Sequence, residues 1–332
     1  MPRTLVPVRA VTLVRMPIAT TEAHAAAPVA APRRVLATVG AYVALTKPRI
    51  IELLLVTTIP TMVLAADGWP SLGLLAGTLI GGSLSAGGAQ VFNSYLDRDI
   101  DAVMKRTRRR PLVTGAVSER GALVFAWALS ILSTLWFWFV VGSPLAAVLS
   151  VLAILGYVVG YTMILKRRTA QNIVWGGIAG CMPVLIGWAA VTNELAWTPF
   201  LLFLIIFFWT PPHYWPLSMK FRGDYEQARV PMLPVVAPVR KVAVEMLGYA
   251  AAMVTVSLAL AWVAGMTWVY VGVAAAAGAW FLAGCVRMYR RSRAGESKLH
   301  EMRLFRDSIT YLSIVFAAVM VDPFLTDVLS VR

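Results

Sequence analysis

QVFNSYLDRDIDAVMKRTRRRPL, residues 90–112, decides how this chain is read. Asn93, Asp97 and Asp101 recur at every fourth position, and the stretch then runs into Lys105, Arg106, Arg108, Arg109 and Arg110. On a helix, each step of four turns about 400° and rises about 6 Å, so the three side chains form one stripe. Asp99 falls on the opposite side and reads as a solvated residue. Carboxylates four apart repel unless something positive lies between them. Magnesium suits such a stripe, because it takes oxygen ligands, keeps several waters and is held by one or two carboxylates plus phosphate oxygens. Arg106 and Arg110, also four apart, carry guanidinium forks that match a phosphate. A plain topology signal accounts for the cations and leaves the acidic stripe unexplained.

The surroundings of this stretch are greasy. Of 332 residues, 59% are hydrophobic and 14% charged, with a mean hydropathy of +0.73. A soluble domain carries roughly a quarter charged residues, so the composition is that of an all-α, polytopic integral membrane protein. Apolar runs near the ~20 residues needed to cross a bilayer occur at 49–66, 71–93, 121–141, 145–165, 172–191, 197–215, 242–263, 267–286 and 307–325. Nine transmembrane helices are expected. The glycines of TLIGGSLSAGGA (78–89) and WGGIAG (175–180) match no nucleotide-binding pattern and point to close helix packing. Cys181 and Cys285 lie in apolar runs, which speaks against a disulfide framework.

Lysine and arginine orient the chain. With the N-terminus cytoplasmic, the inside segments hold 29 of the 30 cations, and only Arg332 falls outside. The net charge of +14 therefore speaks of topology and gives no reason to expect nucleic acid. Residues 1–40, rich in Ala, Val, Pro and Arg with Glu22 alone acidic, read as a disordered basic tail, the alternative being an organellar transit peptide. Residues 41–327 form the transmembrane domain.

A second polar loop faces the same side: WTPPHYWPLSMKFRGDYEQARVPMLPV, 209–235, with His213, Lys220, Arg222, Asp224 and Arg229. Asp97 and Asp224 each follow a long helix, then a basic stretch and Pro-Leu or Pro-Met, which suggests two related halves facing one cavity. Lys47-Pro48-Arg49 opens the first span, and Glu52 within it either meets a wet cavity or pairs with Arg49.

Asn93-x3-Asp97-x3-Asp101 followed by Arg106-Thr107 and Arg110-Pro111-Leu112 resembles the first aspartate motif of the intramembrane aromatic prenyltransferase superfamily. Within it, LTKPRIIELLLVTTIPTM (45–62) and residues 209–236 resemble the haem O synthase, or protohaem IX farnesyltransferase, family. The resemblance spans about residues 40–320. It implies helices around a central cavity open laterally to the lipid bilayer, with farnesyl diphosphate and haem B as substrates, Mg²⁺ as cofactor and haem O as product. It places Asn93, Asp97, Asp101 and Asp224 on the metal, with Asp97, Asp101, Asp224 and His213 as catalytic candidates. Arg106 and Arg110 are expected on the diphosphate, with Lys47, Arg49, Lys220 and Arg222 as further candidates. Tyr214, Trp215 and Tyr225 are candidates to shield a farnesyl cation. Many relatives carry a second Asp-x3-Asp, whereas here Ala228 and Lys220 flank Asp224 at that spacing.

Two rival readings remain at this point. A transporter would put charges near the bilayer midplane, whereas here they crowd one rim. A prenyltransferase acting on a quinone or chlorophyll-type ring shares the first motif. The implied setting is a bacterial cell membrane, the mitochondrial inner membrane being the alternative, with haem A synthase or a terminal oxidase downstream.

Overall fold

In hydrocarbon, a backbone must satisfy its own hydrogen bonds, so long apolar runs fold as helices. The computed structural model describes residues 31–325, with the side chains of residues 31–34, 50 and 52–55 outside that description. It is helical throughout, with no strand among the described residues. A first helix, α1 (Ala31–Thr46), leads into α2 (Pro48–Ala65). Next come α3 (Leu72–Leu96), the short α4 (Arg98–Val103), α5 (Glu119–Leu135) and α6 (Pro144–Leu155). The second half holds α7 (Asn172–Thr192), α8 (Trp197–Lys220), the short α9 (Arg222–Gln227) and α10 (Leu233–Val236), α11 (Val239–Val263), α12 (Trp268–Arg293) and α13 (Glu301–Val321).

Eight helices are long and apolar enough to cross a membrane among the described residues. The expected first span corresponds to α2, whose apolar part with described side chains is Val56–Ala65. Glu52 belongs to the side chains not described. α1 starts inside the stretch expected as tail, so helix begins ten residues before the expected boundary at 41; residues 1–30 lie outside the described residues.

Two features depart from plain helix, and the second π-helix and the end of α8 both lie at the rim that carries the charges. α5 and α6 do not end as α-helices: each runs on as a π-helix, Trp136–Val140 and Gly156–Leu165. And α8, expected to close at 215, continues to Lys220 through Pro211, Pro212 and Pro216. Proline interrupts the ladder of hydrogen bonds, but transmembrane helices tolerate it because neighbours satisfy the freed carbonyls.

Small residues let the helices meet. A Cβ on Gly88 of α3 would stand 2.5 Å from Ser130 Oγ and 3.2 Å from the Ala126 carbonyl of α5. Deeper in the same seam, Ser133 Oγ donates to the Gly81 carbonyl at 2.9 Å, and Ser150 Oγ donates to Ser85 Oγ at 2.9 Å. These three buried serine hydroxyls are thus satisfied across helices without water. The largest apolar core lies in the second half, around Trp209, Tyr270, Phe281, Tyr311 and Phe316.

Candidate active site

The stripe read from the sequence is buried. Asn93, Asp97 and Asp101 are 4%, 1% and 3% exposed, and Gln90, one turn earlier on α3, is buried beside them. Asp97 is the break between α3 and α4, with φ −93° and ψ 6°, and Asp101 lies in the short helix beyond it. Asn93 Nδ2 donates to Asp97 Oδ2 at 2.7 Å, which ties the stripe together.

Each member meets a cation. Lys47 Nζ donates to Asn93 Oδ1 at 2.6 Å and to Gln90 Oε1 at 3.0 Å. Lys166 Nζ bonds Asp97 Oδ2, and Arg110 Nη1 donates to Asp101 Oδ2 at 2.6 Å. Two buried carboxylates therefore face three cations, a surplus suited to a multiply charged anion. Lys47 is held in the left-handed region at φ 54°, which a non-glycine residue adopts at a cost. Burial, then the nearby Arg110 and Lys166 charges, push its ammonium well below the usual lysine range. Asp99 faces away as expected, half outside the protein, where two 2.7 Å bonds from Arg167 hold its carboxyl at about 2.

The second polar loop closes on the first. Arg106 donates its backbone N–H to Asp224 Oδ2 at 3.3 Å, lays its guanidinium over the Phe221 ring at 5.3 Å and reaches Tyr225 Oη at 3.4 Å. Tyr225 Oη pairs with Tyr214 Oη at 3.0 Å. Burial raises the Tyr225 phenol above the ordinary tyrosine range. Asp97 and Asp224 thus belong to loops in direct contact, on one rim of the bundle.

Several expected residues stand apart from this cluster. Arg49 and Lys220 are exposed, and Arg222, also exposed, donates to the Val235 carbonyl at 3.3 Å. His213 is sandwiched between Trp209 and Phe305, with centroids at 4.0 and 4.6 Å, and its Nδ1 bonds Ser308 Oγ at 2.8 Å; none of these three partners is acidic. Trp215, expected to shield a cation, is fully buried with its ring edge-on to Tyr249 at 5.8 Å. One residue turns a helix by about 100°, so Tyr214 and Trp215 serve different faces.

The π-helix after α6 supplies residues that the sequence reading passed over. Tyr157 Oη donates to Gln90 Oε1 at 3.3 Å, Thr162 Oγ1 accepts from Asn93 Nδ2 at 3.1 Å, and Lys166 bonds Asp97. Tyr157 and Thr162 are five apart, one π-turn, and so line up against an α-helical run that an ordinary 3.6-residue period would miss. Tyr161 stacks on Tyr157 at 5.5 Å, in space that only a glycine at 176 leaves open.

These residues fit a hard cation. No group of three or more His, Cys, Asp or Glu side chains is placed to hold a metal by itself among the described residues. Yet Asp97 Oδ1 is buried with no hydrogen-bond partner, and Arg167 Nη2 stands 3.9 Å from it. An orphaned carboxylate oxygen beside a second carboxylate and an amide oxygen is the donor set of magnesium, which completes its shell with water and substrate phosphate.

Residues 54–306 match the UbiA prenyltransferase family model. The chain is 57% identical over 285 residues to a protein of Paenarthrobacter aurescens named protoheme IX farnesyltransferase, covering 86% of this chain and 89% of that one. It is 58% identical over 291 residues to the protein of that name in Streptomyces coelicolor, covering 87% and 92%. Among solved structures, a digeranylgeranylglyceryl phosphate synthase superposes with a TM-score of 0.71 at 16% identity, over 86% of this chain and 98% of that one. The UbiA homologue of Archaeoglobus fulgidus bound to GPP and Mg²⁺ superposes with a TM-score of 0.58 at 17% identity, over 84% and 99%.

Proposed function

This chain belongs to the UbiA prenyltransferase family, and we infer that it transfers the farnesyl group of farnesyl diphosphate to a vinyl group of haem B, giving haem O. The observation that carries the acceptor and donor is the 57% identity, over most of the chain, to a relative named for that reaction. The buried stripe supports a diphosphate as the leaving group. A quinone or chlorophyll-type acceptor and a transport role are not favoured.

We assign Asn93, Asp97, Asp101 and Asp224 as the residues that would hold Mg²⁺. Bound there, the ion supplies charge neutralisation for the departing diphosphate. The chain's own part is electrostatic preorganisation. Lys47, Lys166 and Arg110 already stand at the stripe, and Arg106 is fixed by Asp224, Phe221 and Tyr225. Turning from their present partners to phosphate oxygens, these cations hold the anion in place as the farnesyl C1–O bond breaks. They need little reorganisation at that moment. The new C–C bond joins farnesyl C1 to the vinyl carbon; water adds to the resulting cation and gives up a proton. Tyr157, which bonds Gln90, Tyr161 stacked on it, and the Tyr214–Tyr225 pair beside Arg106 are the rings that would shield positive charge on the isoprenoid. His213 positions α8 against α13 through Ser308 and Phe305, and we give it no step in the reaction.

We place the charged rim in the cytoplasm, on the distribution of lysine and arginine, and the chain in a bacterial cell membrane, on the source of its relatives. Expression with a terminal oxidase, followed by pigment extraction and mass measurement, tests the reading. Haem O is expected, formed only with magnesium present; a prenylated quinone precursor instead would overturn the acceptor, and full activity in excess EDTA would overturn the metal.

A further inference from the structure

At the same rim, and away from the acidic stripe, α12 and α13 enclose a cavity of about 100 Å³ lined by Gly284, Arg287, Arg291, His300, Arg303 and Asp307, among others. Three guanidinium groups face one carboxylate there. Arg303 Nε is 3.9 Å from Asp307 and Arg291 Nε is 3.7 Å from Glu296, both beyond hydrogen-bond reach, and Arg287 has no hydrogen bond or ion pair among the described residues. His300, at φ 56°, is the N-cap of α13 and makes no side-chain cap bond, so the positive end of a 21-residue helix, with Glu301 in its first turn, lies beside the cavity. Such a set recognises an oxyanion.

The helices below the cavity say which oxyanion. On α12, Trp280, Gly284, Arg287 and Arg291 follow at steps of four, three and four, and so share one face. On α13, Arg303, Asp307 and Ile314 do the same at four and seven. Trp280 and Ile314 are each 39% exposed. Both helices therefore present arginine at the rim and exposed apolar surface about two to three turns deeper, the profile of an amphiphile with an anionic head. We propose that this groove binds one anionic phospholipid, its phosphate among Arg287, Arg291 and Arg303 and an acyl chain along Trp280 and Ile314. Basic clefts between transmembrane helices take anionic head groups in this way. The first turns of α13 also carry Phe305 and Ser308, which grip His213, so the bound lipid clamps α13 onto α8.

The proposal does not depend on the acceptor assignment. It is tested on the full chain in detergent by native mass spectrometry and thermal melting, with added phosphatidylglycerol, phosphatidylcholine or inorganic phosphate. Wild type is expected to retain phosphatidylglycerol at least tenfold better than phosphatidylcholine and to melt higher with it. Arg287→Gln/Arg291→Gln should lose both the preference and the shift while melting as wild type does without lipid; Arg303→Gln serves as the second variant should that pair fail to fold. Equal retention of the two lipids, or a preference unchanged by the substitutions, overturns the proposal. Displacement of phosphatidylglycerol by equimolar inorganic phosphate also overturns it, in favour of a free-anion site.

Discussion

The corner between α3 and α4 and the corner between α8 and α9 share one backbone design and divide the chemistry between them. In each, a long helix breaks at a single residue and restarts as a helix of six residues. Asp97 makes the first break at φ −93°, ψ 6°, and Phe221 the second at φ −105°, ψ 25°. Aligned at the breaks, Asp97 matches Phe221 and Asp101 matches Tyr225, so Asp224 stands one residue before the equivalent of Asp101. The first corner is buried and meets three cations; the second keeps its loop cations exposed and offers a ring and a phenol to Arg106. A repeated backbone thus gathers buried charge at one corner, and at the other fixes one arginine beside Asp224, the fourth residue we assign to the metal.

The largest effect should come from the first corner. Asp97→Ala removes the oxygen that has no partner and leaves Lys166 without its carboxylate. Haem O formation is expected to fall about 10³-fold, the upper range for losing a charge-stabilising group, with membrane insertion unchanged by cell fractionation. Loss of less than tenfold breaks the division between the corners. Arg110→Lys keeps a charge at Asp101 and loses the fork, and should cost about 10- to 100-fold in kcat/KM for farnesyl diphosphate. Asp224→Ala, at the half-buried second corner, is expected to cost about tenfold, because a hydrogen bond from one backbone N–H to a charged group contributes ~1.5–3 kcal/mol. If Asp224→Ala equals Asp97→Ala, the two corners share the metal evenly.

How much of this was legible in the sequence depends on period. The stripe of Asn93, Asp97 and Asp101 lies on ordinary helix with one break, so a count of fours found it. The apolar runs found eight spans among the described residues by the same logic, because length and hydropathy need no tertiary knowledge. Lys166, Tyr157 and Thr162 were missed because they sit on or just past a π-helix, where neighbours on a face are five apart, and because Lys166-Arg167-Arg168 reads first as a topology signal. The match between Asp97 and Asp224 came from counting carboxylates; only the backbone shows that the breaks align three residues differently. Arg222 and Trp215 stand apart from the cluster for one reason: their position along the chain is legible, but not the rotation of α8 and α9 around Pro211, Pro212 and Pro216.

Smaller effects should come from the second corner, and they sharpen the comparison. Tyr225→Phe keeps the ring and removes the hydroxyl that meets Tyr214 and Arg106. A neutral hydrogen bond contributes ~1 kcal/mol net, so a roughly fivefold rise in KM for farnesyl diphosphate is expected, with kcat changed less than KM. A fall in kcat alone would instead place the phenol in the chemical step. Arg222→Gln is the control with the smallest effect. Its guanidinium is spent on the Val235 carbonyl at an exposed position, where a surface contact contributes ~0–0.5 kcal/mol. Less than a twofold change in haem O formation is expected in isolated membranes. A tenfold loss would mean that Arg222 swings onto the diphosphate when substrate binds, and the second corner would then carry charge as the first does.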